Sequence, residues 1–285
     1  MSTLLNIAGK IDSKIIDLFE LVSVATSESG IPYVVVGATA RDLILHHGYG
    51  AKIQRATRDI DFAIEVPDWQ AYVSLKNRLC QKGFKSDQAQ HRLTSPDRIP
   101  IDIVPFGSIE NPDASIAWPP KGEVVMNVMG FNEACVHAEW LRIRNNPVLD
   151  IPVATPAGMI LLKLIAWTDR TVELRKKDAK DIAYLLSNYE KIPVVVDIMY
   201  DDLSVGLMES YDWDRSQAAS FILGQHAKDI ASEATRKEVV KLASDKIPNV
   251  SIDRLLIDMC DNSDIQFERN RLLLSAFYQG FSTSE

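Results

Sequence analysis

The segment Arg58-Asp59-Ile60-Asp61-Phe62-Ala63-Ile64 alternates acids with apolar side chains, and Asp102 stands alone within the apolar run Ile101-Asp102-Ile103-Val104. On a β-strand alternate side chains share a face, so Asp59 and Asp61 are expected to project together while Ile60, Phe62 and Ile64 pack behind them. Carboxylates that close raise each other's pKa unless a cation stands between them. A hard divalent ion, Mg²⁺ or Mn²⁺, relieves the repulsion, because it prefers carboxylate oxygens, water and phosphate. If the Asp102 strand lies beside the first, the acids meet in a set able to hold two ions about 3.5–4 Å apart for an in-line phosphoryl displacement. Asp59, Asp61 and Asp102 are therefore the expected metal ligands and catalytic acids of phosphoryl or nucleotidyl chemistry. The competing reading is structural, with the acids acting as strand-end caps or pairing with Arg58 and Arg98.

A phosphate-binding element precedes them. Tyr33-Val34-Val35-Val36 reads as a buried strand running into Gly37, and Ala38 to His47 reads as a helix with Leu43, Ile44 and Leu45 inward. A strand, a glycine and a helix start leave free backbone N–H groups where an anion can dock. Gly37 permits the close approach, and Thr39 and Arg41 add side-chain donors. With Ala38 at the turn and Arg58 beside the acids, these form the expected nucleotide-binding set. A glycine before a helix is, taken alone, more often a tight turn. His46 and His47 open a glycine-containing loop to Thr57 and read as surface residues, because no third ligand has suitable spacing.

The elements that must hold these residues follow from periodicity. Helices are expected over 11–27, from Pro67 to Lys82, and after Thr155, which can cap a helix with Pro156 at its first position. Pro96-Asp97 marks a turn before the Asp102 strand. A loop-rich stretch follows Pro105, and β character returns at 123–129, 140–144 and 148–153. Lys163 interrupts the apolar run Met159–Trp167, so its ammonium either snorkels to a solvent edge or meets an anion. Asp178 and Asp181 border the buried stripe of a helix over 177–189, where pairing with Lys163 or Arg170 is expected. Further helices are expected over 216–232, 237–242, 252–259 and 265–277; Gly224 gives the first of these a faint helix-turn-helix cast.

Composition limits the partners. The chain has 285 residues, 46% of them hydrophobic, and a net charge of −8, which disfavours an extended nucleic-acid wrapper. A local basic cleft from Lys52, Arg55 and Arg58, or from Arg170, Arg175, Lys176 and Lys177, remains open. Cys80, Cys135 and Cys260 are far apart without a CxxC pair, as expected of a cytoplasmic protein with reduced thiols. No apolar run reaches the roughly 18 residues of a membrane span, and the first ten residues lack the pattern of a secretory signal.

With these residues in view the chain resembles the polymerase-beta-like nucleotidyltransferase superfamily. Val36-Gly37-Ala38-Thr39-Ala40-Arg41-Asp42-Leu43 resembles its glycine turn and the Gly-Gly-x-x-Arg-Asp element of CCA-adding enzymes. Arg58-Asp59-Ile60-Asp61-Phe62 resembles its metal-binding Asp-x-Asp, and Ile101 to Phe106 the segment of its third acid. Leu162-Lys163-Leu164-Ile165-Ala166-Trp167 with Lys177-Asp178-Ala179-Lys180-Asp181 is similar to the part that follows the core in AbiEii and MenT-type toxin nucleotidyltransferases. There a lysine and an aspartate join the site, which the resemblance carries onto Lys163 and Asp181. The likeness covers about residues 33–190. Ala38 departs from the usual Gly or Ser, and the link from Gly37 to Asp59 is long.

The resemblance implies an α+β fold: a small mixed β-sheet flanked by helices over 1–155, then a helical region over 156–285. It implies a metal-dependent nucleotidyltransferase that takes a nucleoside triphosphate and moves NMP to an acceptor hydroxyl, on RNA such as tRNA or on a protein. A toxin-like role with an antitoxin partner is the corresponding biology. The rivals are a catalytically inactive nucleotide- or partner-binding protein of the same fold and a helical DNA-binding regulator.

Overall fold

The computed structural model describes residues 4–54, 58–120, 122–201, 206–244, 250–260 and 264–283. The chain divides into two compact units, one of residues 1–48 and 55–155, the other of residues 49–54 and 156–285.

The first unit is built on β1 (Leu5–Asn6), β2 (Tyr33–Val36), β3 (Ile60–Val66), β4 (Lys85–Ser86), β5 (Arg92–Thr94), β6 (Pro100–Gly107), β7 (Ser115–Ala117), β8 (Val125–Asn127), β9 (Glu139–Asn145) and β10 (Val148–Val153). β7 and β8 form a separate hairpin, and the others form one mixed sheet in the order β1-β9-β10-β2-β3-β6-β5-β4. The centre of this sheet comes from the most apolar segments. β2 runs antiparallel to β3, and β3 runs parallel to β6. Helices α1 (Ser13–Ser29), α2 (Gly37–Arg41), α3 (Trp69–Gln81) and α4 (Phe131–Val136) complete the unit.

Register decides which face each helix covers. Phe62 is paired with Ile103 and Glu65 with Phe106, so Phe62 and Phe106 lie on opposite faces. Phe62 is fully buried and meets Phe19 of α1 edge-on at 5.9 Å, whereas Phe106 stacks on Phe131 of α4 at 6.1 Å. Each such ring stabilises the fold by roughly 1.5–3 kcal/mol on burial. α1 starts on the Asp12 cap and stops at Gly30, whose φ of +64° ends the helix.

The second unit is helical, as expected. Helices α5 (Pro156–Asp169), α6 (Val172–Asn188), α7 (Pro193–Met199), α8 (Leu207–Ser210), α9 (Arg215–Ile230), α10 (Glu233–Ala243), α11 (Ile252–Met259) and α12 (Asp264–Ser282) make it up. Helices α9 and α12 cross at close range. A Cβ on Gly224 would lie 2.0 Å from the Phe277 carbonyl oxygen, and one on Gly280 would lie 2.0 Å from that of Phe221. Gly224 thus serves helix packing rather than a helix-turn-helix bend. Arg175 turns inward to hydrogen-bond the buried Asp258, which also accepts from the Trp167 indole.

Several local expectations need correction. The helix expected over 38–47 is α only to Arg41 and continues as a π-helix over Asp42–Gly48. Helix α3 starts at Trp69 because Asp68 caps it, accepting from the Ala71 N–H, and Pro67 precedes the cap. β5, α4, α7 and α8 are too short to show a period, and β5 proves to matter most for the site.

Candidate active site

Asp61 on β3 lies in register with Val36 of β2 on one side and Asp102 of β6 on the other. Asp102 in turn faces Arg92 of β5. In-register neighbours project from the same face, so Asp61, Asp102 and Arg92 form one row across three strands. Asp59 precedes β3 rather than lying within it, and its carboxylate reaches the same row through Arg92. The Arg92 guanidinium donates to both oxygens of Asp102, Nε to Oδ1 and Nη2 to Oδ2, each at 2.7 Å. Nη2 also donates to Asp59 Oδ2 at 3.2 Å. The hydrogen bond to Asp102 raises the Arg92 pKa further above its ordinary value. Arg92 is the cation held by Asp59 and Asp102, in place of the expected Arg58 or Arg98. Arg98 sits in the β5–β6 turn with φ +64°, and Arg58 is exposed.

The glycine turn closes directly onto this row. Gly37 has φ +70°, and a Cβ there would stand 2.0 Å from Asp61 Oδ2. Only glycine lets the backbone come so near the carboxylate. The Thr39 hydroxyl donates to the Asp59 carbonyl at 3.3 Å, tying α2 to the approach of β3. Ala38 and Thr39 are both largely buried. Arg41, expected to reach phosphate oxygens, is 1% exposed, and its guanidinium engages the Asp42 carboxylate at 2.8–2.9 Å. The backbone of the turn, at Gly37, comes directly against Asp61.

A second layer fixes Asp102. Tyr72 of α3 donates to the carbonyls of Ile103 and Gln90, each at 3.2 Å, joining β6 to the start of β5. Burial, followed by the Asp102 charge, raises the Tyr72 pKa, so the hydroxyl stays protonated as that donor. His91 Nε2 lies 4.0 Å from Asp102 Oδ1, and its ring packs near Trp118.

Among the described residues no group of three or more His, Cys, Asp or Glu side chains stands assembled to hold a metal ion. The acids are gathered at one end of the sheet, but a guanidinium fills the space between Asp59 and Asp102. The donor chemistry still suits a hard divalent ion. Every donor is a carboxylate oxygen, and a cation already bridges two of the carboxylates.

Lys163 and Asp181 meet in the second unit. Lys163 Nζ pairs with Asp178 Oδ1 at 2.9 Å and with Asp181 Oδ2 at 2.8 Å, and Arg170 donates to Asp178 Oδ2 at 2.7 Å. Burial alone would lower the Lys163 pKa, but the charges of Asp181 and Asp178 more than offset it and raise it. These pairs hold α5 against α6. The basic run expected at 170–177 is not continuous: Arg175 is buried, Arg170 is tied to Asp178, and Lys176 and Lys177 are exposed. Lys52 is exposed, and Arg55 lies outside the described residues.

Arg92 is the site residue that reading the sequence missed. The segment His91-Arg92-Leu93-Thr94 is too short to show a period; in the structure Leu93 is fully buried and Arg92 takes the alternate face. Pairing of these residues across the Pro96-Asp97 turn with Pro100 to Asp102 puts Arg92 opposite Asp102.

A mixed sheet carrying a glycine turn, an Asp-x-Asp and a third acid on the neighbouring strand defines the class: the protein is a nucleotidyltransferase. A family model described as nucleotidyl transferase AbiEii toxin, Type IV TA system, matches residues 21–250, and the chain belongs to that family. No curated protein matches the sequence. Among solved structures the chain is similar to ANT(2'')-Ia in complex with adenylyl-2''-tobramycin, at 14% identity and TM-score 0.38 over 70% of this chain and 99% of that one. An antigenic nucleotidyltransferase-like protein from Paracoccidioides brasiliensis aligns at 15% identity and TM-score 0.36, over 70% and 93% of the two chains. The Thermotoga maritima CCA-adding enzyme complexed with tRNA aligns at 17% identity and TM-score 0.26, over 95% and 70%. No helix among the described residues is long and apolar enough to cross a membrane.

Proposed function

We propose that this nucleotidyltransferase is metal-dependent and transfers NMP from a nucleoside triphosphate to a hydroxyl of an RNA acceptor, as a toxin countered by an antitoxin. The observation that carries the reading is the in-register placement of Asp61 and Asp102 on parallel strands, with the Gly37 turn against Asp61. Asp59, Asp61 and Asp102 would hold Mg²⁺ or Mn²⁺, which when bound neutralises charge on the triphosphate. The Gly37–Thr39 turn presents backbone N–H groups to phosphate oxygens. The acceptor oxygen attacks the α-phosphorus, the bond to the β-phosphate bridging oxygen breaks, and pyrophosphate leaves. The hydroxyl proton passes to an Asp102 carboxylate oxygen. Arg58, exposed and adjacent to Asp59 in the chain, is proposed to balance phosphate charge. The toxin role and the antitoxin partner rest on the family; RNA is preferred as acceptor on the sequence resemblance to toxin nucleotidyltransferases.

The test is incubation of the full chain with each labelled nucleoside triphosphate, Mg²⁺ and total RNA, beside Asp59→Ala. Label should enter RNA with release of pyrophosphate, and the variant should lose it while keeping its unfolding midpoint. Label that persists in Asp59→Ala refutes the site. No transfer with any nucleotide, together with retained nucleotide binding, supports the inactive binding protein instead.

A further inference from the structure

We infer that Arg92 holds the place of the divalent cation, and that its exchange for the ion sets the metal affinity of the site. This deepens the metal-dependent reading above and rests on it. The geometry is that of a cation ligated by the site's own acids: two hydrogen bonds of 2.7 Å to Asp102 and one of 3.2 Å to Asp59. Without it, Asp59 and Asp102 would lose the one guanidinium that both contact and that offsets their mutual repulsion. The planar fork of arginine suits this role, since one guanidinium spans two carboxylates and fixes their spacing.

The pairing lies at a partly solvent-exposed edge, with the Asp102 side chain itself 14% exposed. The Arg92 side chain is 34% exposed and that of Asp59 41% exposed, so the arm can swing to solvent when a stronger ligand for the acids arrives. β5 is three residues long, is paired to β4 and β6, and has Leu93 fully buried. A positive side chain in the coordination space disfavours a metal ion twice, by occupying the oxygens and by like-charge repulsion. The pairing therefore keeps the acids spaced for metal while weakening metal binding until nucleotide phosphate arrives to take the freed guanidinium.

The sign of one measurement separates this role from a purely structural one. Removing a structural support loosens the acids and weakens metal binding, whereas removing a competitor strengthens it. Mn²⁺ alone is titrated into the full chain, without nucleotide, and bound ion is read by electron paramagnetic resonance with the unfolding midpoint followed in parallel. Arg92→Gln should bind Mn²⁺ about tenfold more tightly than the wild type, as loss of a directly hydrogen-bonded competing charge implies. Its midpoint should be lower without Mn²⁺ and should rise more on adding it. Arg92→Lys, a point charge unable to bridge both acids, should fall between the two and guards against a folding defect in the glutamine variant. Arg142→Gln, which removes the Arg142–Asp150 pair elsewhere on the sheet, should leave Mn²⁺ affinity unchanged. Equal or weaker Mn²⁺ binding by Arg92→Gln, with a wild-type site that Asp61→Ala abolishes, overturns the role of Arg92 and leaves the metal site standing. No Mn²⁺ binding by either the wild type or Arg92→Gln overturns the metal-dependent reading and this inference with it.

Discussion

Gly37→Ala tests whether the turn and the acid row work as one unit. The substitution has two costs that can be worked out separately. At φ +70° an alanine sits in the left-handed region, which costs about 1–2 kcal/mol. Its Cβ would also stand 2.0 Å from Asp61 Oδ2. Non-bonded atoms settle near 3.5 Å, so the carboxylate must withdraw by about 1.5 Å. Displacement of a reacting group by about 1 Å can lower a rate by roughly 10²-fold. Gly30→Ala isolates the first cost, because Gly30 has φ +64° and nothing within 4 Å of an added Cβ. Gly30→Ala should lose about 2–8 °C in Tm, taking about 2–4 °C per kcal/mol for a unit of this size, and Gly37→Ala more. Only Gly37→Ala should lose transfer of labelled NMP, by about 100-fold. The measurements are calorimetry and label incorporation into total RNA. Activity of Gly37→Ala within threefold of wild type, or equal losses in the two variants, refutes the coupling of turn and acid.

Other perturbations follow from the helical unit. Gly224→Ala places a methyl against the Phe277 backbone carbonyl at 2.0 Å, where no side chain can rotate aside, so α9 and α12 must separate. A loss of about 3 kcal/mol is expected in urea unfolding, and a loss under 1 kcal/mol would show that the crossing can relax. Lys163→Met leaves Asp181 buried without its Lys163 partner and should cost about 3–5 kcal/mol, whereas an unchanged urea midpoint would mean the pair is not needed to join α5 and α6. Hydrogen bonding to Arg269, ahead of that to Gln217, lowers the Asp214 pKa to about 2. This stabilisation is complete above the unfolded-state pKa near 4 and is lost as pH falls through about 2. The stability gap between wild type and Asp214→Asn should therefore close between about pH 4 and pH 2, and a gap that stays constant would rule out the linkage.

Much of this architecture is written in local pattern. The β-branched run at 33–36 and the alternation at 60–64 specify strands because a pleat needs one apolar face, and Gly37 specifies a left-handed turn because no other residue adopts it without strain. Those features placed Asp61 and Asp102 on strands before any pairing was known. The longer helices of the second unit were legible for the same reason, since several turns of 3.6-residue period leave a clear apolar stripe.

Only the tertiary structure decided what the acids touch. Register is a relation between segments distant in sequence, so the pairing of Asp61 with Asp102, and of Asp102 with Arg92, depends on strand order that no local window contains. Arg41 follows the turn in sequence, but its burial and its pairing with Asp42 are set by packing. Arg92 drew no reading because β5 is too short to show its period. Side-chain chemistry can be read residue by residue, but the partner of a charge is set by where the sheet carries it.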